Sequence, residues 1–156
     1  MPQVLDELKS VYGHSSLIGM VTTDAGNTSQ AVAQKIVEEC KWAYFCQIKS
    51  DHGEIYREAT RALQHRQARE ADANGGEKRD GNDVTYHVWR HDLEGEGWLG
   101  WTSARQLVRV ERTVVNRETG EVESVGNRYY VTSKAPTELA PDGCLTISRG
   151  HWRCEN

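Results

Sequence analysis

The sequence predicts a mixed α/β chain, and three observations carry that expectation. Two short apolar runs, Leu17 to Val21 and Trp42 to Ile48, flank a stretch whose apolar residues recur at helical spacing. From about residue 83 to 133 the chain turns to alternating and β-branched patterns, with a hairpin signal at Asn116-Arg117-Glu118-Thr119-Gly120-Glu121. Pro141 and Asp142 then fit the start of a last helix, which Gly150 weakens from within.

Taken in order, Val4, Leu5, Leu8 and Val11 predict a short amphipathic helix closed by Gly13. The first apolar run lacks a helical stripe and meets the polar Thr22-Thr23-Asp24, so it reads as a buried strand ending at or near Asp24. Asn27 or Thr28 can cap the following helix, whose apolar face is Val32, Ala33, Ile36, Val37 and Cys40. Strand, helix, strand implies a parallel crossover unit, and Asp24 then sits at the carboxyl end of its strand, where open α/β sheets place ligands. Residues 53–70 read as a charged helix and 71–82 as a turn-rich loop. Strands are expected around Val84 to Val88, Leu107 to Val115 and Val122 to Thr132, followed by a helix to Asn156.

At 156 residues the chain can bury one core. Its mean hydropathy of −0.71 is on the polar side of globular, and no apolar run approaches the roughly 20 residues that span a bilayer. No membrane association is expected. The first residues lack a basic segment followed by an apolar one, so the cytoplasm is the expected location. Cys40, Cys46, Cys144 and Cys154 form no C-x-x-C pair and are expected as buried thiols. A net charge of −4 is awkward for a nucleic-acid enzyme, but many of the 19 Lys and Arg residues fall between Arg90 and Arg153, where a local basic face can form.

Three features bear on chemistry: Asp24 after a strand, Lys49 after the next strand, and Arg149-Gly150-His151-Trp152-Arg153-Cys154-Glu155-Asn156 on the last helix. Each has a plainer reading. An aspartate at a strand-to-helix junction is more often a cap than a metal ligand. His151 and Glu155, four residues apart, share a helix face as any solvated pair would. Trp152 is as readily a core indole as a stacking platform.

Order and spacing join the three. The run Arg149 to Asn156 resembles the last catalytic helix, R-x-H-W-x-x-E-N, of one group of DDE-type insertion-sequence transposases. Val21 to Ala25 is similar to that family's V-T-x-D-A around its second aspartate, and Lys49 matches a lysine near the end of its next strand. Leu107 to Arg112 and Arg128 to Ser133 look like its β-insertion, so the resemblance spans about Val4 to Asn156.

The resemblance implies a partial ribonuclease H-like core over residues 1–52, a helix and loop over 53–82, a β-rich insertion over 83–133 and a terminal helix bearing the catalytic Glu over 134–156. It implies DNA cutting and joining by phosphoryl transfer, with Asp24 and Glu155 as catalytic metal ligands. Two Mg²⁺ ions about 4 Å apart, or Mn²⁺ in their place, would activate the attacking oxygen and steady the leaving one. Lys49, Arg149, His151 and Asn156 become candidates for DNA contact, and Arg109 and Arg112, with Arg117 and Arg128, for tracking its backbone. A solvated strand face explains those arginines equally well. Transposon-end and target DNA are the expected partners, with a second copy or a full-length transposase beside them.

The family also has an earlier aspartate on the first strand of the sheet. The only aspartate before Asp24 is Asp6, inside the first expected helix. The expectation is therefore that the first three strands are missing, that the metal pair would form only if the site were completed, and that the strand ending at Asp24 exposes an edge. Such a chain would be inactive alone. Two rival readings stand beside it: a nuclease of ribonuclease H type, and a non-catalytic remnant that binds DNA or a transposase. A zinc site from His87, His91, Cys144, His151 and Cys154 matches no established spacing.

Overall fold

The computed structural model describes residues 1–93 and 100–155, with side chains followed to residue 151. Helix α1 (Pro2–Tyr12) precedes strand β1 (Met20–Thr23), and α2 (Gln30–Gln34) widens into a π-type turn over Lys35–Glu39 before β2 (Ala43–Ile48). Helix α3 (Glu54–Leu63) leads to β3 (Ala73–Arg79), β4 (Asn82–Asp92), β5 (Gln106–Asn116) and β6 (Val122–Thr132), and α4 (Pro141–Glu155) follows. The strands form one curled sheet in the order β1-β2-β6-β5-β4-β3. Among the described residues only β1 and β2 run parallel, joined across α2, so the crossover unit expected from the apolar runs is present. The remaining neighbours are antiparallel.

Pleat alternation sorts the long strands into two cores. Trp89, Leu107 and Tyr129 point to the side covered by α2 and α3, with Ile36, Ile55 and Leu63. Their chain neighbours Val88, Val108 and Tyr130 point to the other side, where Cys144 and Leu145 of α4 pack. Burial of each such large side chain contributes about 1.5–3 kcal/mol. The result is a helix, sheet, helix sandwich in which no helix of the described residues is long and apolar enough to cross a membrane.

Three local expectations need correction. Residues 71–82 are mostly strand, not loop: β3 pairs with β4 along its whole length. The turn joining them is Asp80-Gly81, both at positive φ (50° and 80°), the two-residue geometry that favours Asp-Gly in a hairpin. The charged, glycine-containing β3 has little strand propensity of its own and is held by its partner and by α4. At Gly75 an added Cβ would lie 2.7 Å from Leu145 Cδ2, so the missing side chain lets helix and strand approach. Helix α3 ends at Leu63 rather than near residue 70. The cap of α2 is Ser29, whose hydroxyl accepts from the Val32 N–H, and neither Asn27 nor Thr28 takes that place.

The segment 83–133 extends the same sheet, because β6 pairs directly with β2. At the far end β1 is an edge strand, paired only with β2 among the described residues.

Candidate active site

Asp24 follows β1 directly and turns the chain into a short helical turn, Ala25–Asn27. Its Oδ1 accepts from the Asn27 backbone N–H (3.0 Å) and from Asn27 Nδ2 (2.7 Å). The capping reading of Asp24 therefore holds for one carboxylate oxygen. Among the described residues Oδ2 takes no hydrogen bond, and the residue lines a cavity of about 320 Å³.

Lys49 lines the same cavity from the end of β2, because parallel pairing of β1 with β2 sets both carboxyl ends side by side. The two loops are also tied together. Thr28 Oγ1 donates to the Asp24 carbonyl at 2.7 Å and lies 2.6 Å from Thr23 Oγ1. His52 reaches the Thr28 carbonyl with Nε2 (3.2 Å), while its Nδ1 accepts from the Lys49 N–H (3.0 Å). These bonds fix the loop after β1 against the loop after β2, the kind of support that holds a functional group in place.

The third wall comes from β6. Arg128 and Asn127 line the Asp24 cavity, as do Gln47 and Tyr56. Gln47 and Tyr56 are new to the site. Gln47 had a sequence signal in its period-two relation to Lys49 on one strand, whereas Tyr56 lies on α3 and had none. Arg128 appeared in the sequence only as one of several insertion arginines.

The structure separates the other candidates. Arg109 is not a DNA contact: it is 6% exposed and turned inward. Its guanidinium lies 4.2 Å over the Trp89 ring, pairs with Glu111 at 2.6 Å, and donates to the carbonyls of Leu63, Gln64 and Arg66 at the end of α3. Register explains this, since Arg109 shares the face of Trp89 while Arg112 falls on the opposite one. Arg112 is half-buried and bonds the Tyr86 hydroxyl. That hydroxyl donates to Glu77 Oε1 (2.8 Å), and Glu77 in turn pairs with Arg149 of α4. Arg149 is thus anchored to β3 and lies 5.1 Å from the Tyr86 ring centroid. His151 is half-buried one helical half-turn further on. Arg117 pairs with Asp83 beside the β5–β6 turn (3.0 Å). The side chains of Trp152, Cys154 and Glu155, and the whole of Asn156, lie outside the described residues, and with them the pairing of Asp24 with Glu155.

Asp6, the aspartate before Asp24, bonds Lys35 at 2.6 Å and docks α1 on the π-type turn, away from the Asp24 cavity. Magnesium takes about six oxygen ligands, with carboxylates drawn from more than one position. The cavity supplies one described carboxylate and the Gln47 amide, and among the described residues no group of three or more His, Cys, Asp or Glu comes together. These residues by themselves do not make a magnesium site. The zinc set is likewise dispersed, with His87 on the α3 side of the sheet near Trp89 (5.7 Å between rings) and Cys144 buried on the α4 side.

Chemically, the cavity offers a carboxylate oxygen with a lysine and an arginine around it, an arrangement suited to a phosphate beside a carboxylate. No known family model matches the chain, and no curated protein matches it either.

Proposed function

We propose that this chain is part of the catalytic domain of a DDE-type transposase, working on DNA in the cytoplasm and catalytically incomplete by itself. One observation carries the reading: Asp24 and Lys49 end adjacent parallel strands and share one cavity with Arg128. The terminal run Arg149 to Asn156 and the V-T-x-D-A context of Asp24 support it from the sequence. A ribonuclease H-like core with further strands beside β1 would account for the open edge of that strand. In the completed domain Asp24 and Glu155 would be metal ligands, and Lys49 would meet a phosphate.

Manganese broadening of backbone amide resonances tests this reading. Sub-stoichiometric Mn²⁺ should broaden the amides of Asp24 to Gly26 together with those around Glu155, and Asp24→Asn should remove both effects. Broadening at one of the two places without the other would sink the shared metal site. In a plasmid-nicking assay with Mg²⁺ or Mn²⁺, cleavage lost in both Asp24→Ala and Glu155→Ala would show that the chain is complete after all. A non-catalytic DNA-binding remnant is the second reading, favoured by a second cavity of about 920 Å³ whose lining includes Lys78, Arg79, Arg112, Arg128 and Arg149 and does not include Asp24.

A further inference from the structure

Two loops meet beside the Asp24 cavity, and the side chain that joins them is His52, only 7% exposed. Its ring faces more acceptors than a neutral imidazole can serve. Nε2 lies 3.2 Å from the Thr28 carbonyl, a bond that requires a proton on Nε2. Nδ1 lies 3.0 Å from the Lys49 backbone nitrogen, whose N–H requires a lone pair there. It also lies 2.9 Å from Asp51 Oδ1, which requires a proton instead. The Lys49 carbonyl, 3.2 Å from Nδ1, already accepts from the His52 backbone N–H at 3.0 Å. The competition at Nδ1 is therefore between one amide and one carboxylate.

The surroundings leave that choice to the charge of the ring. Asp51 belongs to the same turn, and its side chain, 77% exposed, can rotate into solvent when the ring is neutral. From the loop after β1 comes the Thr28 carbonyl, while the Asp24 carboxylate of that loop turns its Oδ1 to Asn27. Trp101 presents its ring 6.2 Å away, between centroids. At the start of α3, Glu54 pairs with Arg57 at 3.3 Å. Lys49, at the end of β2, lines the Asp24 cavity. Imidazole is the side chain whose charge ordinarily changes between about pH 5 and 8.

We propose that His52 is a proton-operated switch on Lys49. With a neutral ring, Nε2–H donates to the Thr28 carbonyl and the Nδ1 lone pair accepts the Lys49 N–H, so the end of β2 is bound to the loop after β1. A proton taken up from solvent at Nδ1 turns that acceptor into a donor. The bond from the Lys49 N–H breaks, a charge-assisted bond to Asp51 Oδ1 forms, and the bond to Thr28 stays. Lys49 follows Ile48, the last residue of β2 paired with β6, so releasing its amide loosens its side chain in the Asp24 cavity. That acid thereby unseats a phosphate-binding cation rests on the function proposed above; the exchange of partners at Nδ1 does not.

Heteronuclear NMR of the full chain between about pH 5 and 8 tests the switch. The ring nitrogens of His52 should show Nε2 protonated throughout and Nδ1 gaining its proton as pH falls. Over the same range the exchange of the Lys49 amide with water, relative to the same amide in an unfolded peptide, should quicken by about five- to tenfold, the loss of one hydrogen bond. In Asp51→Ala the competing acceptor is gone, and the Lys49 amide should keep most of its protection at the acid end. His52→Gln, whose amide can donate to Thr28 and accept from Lys49 at every pH, should abolish the response. An Nδ1 that holds or lacks its proton across the whole range, or an Nε2 that loses its own, would overturn the proposal. So would a Lys49 amide indifferent to pH, or a full response in either variant. The ring measurement uses the unaltered chain, so it decides even where a variant fails to fold. A failed manganese test with the Lys49 response intact would refute the transposase reading alone, and the converse would refute the switch alone.

Discussion

Replacing Arg109 separates a structural arginine from a DNA-contacting one. Its guanidinium satisfies three carbonyls at the end of α3, bonds Asn127 Oδ1 at 2.7 Å, and pairs with Glu111 beneath the Trp89 ring. Removing one partner of a buried ion pair costs about 3–5 kcal/mol, because the remaining charge and carbonyls lose their donors. Glu111 keeps some solvent, its side chain being 20% exposed, which places Arg109→Ala at the lower end, about 3–4 kcal/mol. Lysine brings charge but one ammonium in place of a planar fork, so Arg109→Lys should recover less than half of the loss. Urea unfolding followed by tryptophan fluorescence reads both variants, and the midpoint should fall without a change in slope. A fully stable Arg109→Lys would refute the buried-fork argument. So would an Arg109→Ala variant that keeps its stability and loses DNA affinity.

Other consequences can be checked with equal directness. Burial pushes the Cys46 thiol up to about 11 and the Cys144 thiol up to about 12, so neither should react with a thiol reagent at pH 8 until the chain unfolds. Unfolded thiols ionise near pH 9 while the folded ones hold their protons, so the unfolded state binds fewer protons there. Stability should therefore be flat in this respect below about pH 8 and fall from pH 9 toward 12, as measured by unfolding free energy against pH. Gly75→Ala brings the new methyl against the end of the Leu145 side chain and should destabilise by about 1 kcal/mol in a thermal melt; a neutral result would mean that Leu145 turns aside without loss of packing. Asp24→Ala loses the cap of the Ala25–Asn27 turn and should cost about 1 kcal/mol, whereas Asp24→Asn keeps an accepting oxygen and should cost little. Equal losses in urea unfolding would put the stabilisation in the charge rather than in the hydrogen bond.

Local patterns carried a large part of this fold. Apolar spacing located α1 and β2 and only the end of β1, which begins at Met20 and leaves Leu17 exposed in the turn before it; the alternating residues located the β4 to β6 strands, and Asn116 to Glu121 marked their hairpin, because each signal lies within one element and needs no distant partner. The β3 strand escaped that reading. Gly75, Gly76 and four charged or amide side chains give it no propensity, and it exists through pairing with β4 and contact with Leu145. The Asp80-Gly81 turn was its one sequence signal. Its flanks lacked the apolar alternation that would have made that turn legible as a hairpin.

The same division applies to the candidate site. Sequence by itself determined that Asp24 and Lys49 end consecutive strands, since apolar runs stop where polar loops begin. Only tertiary structure decided that Arg128, some eighty residues beyond Lys49, completes their cavity, and that Arg109 is spent in the interior while Arg112 lines an open basic wall. An odd difference in position along a pleated strand puts two arginines on opposite faces. Which face is core and which is open depends on the helices packed there, and that is a property of the assembled chain.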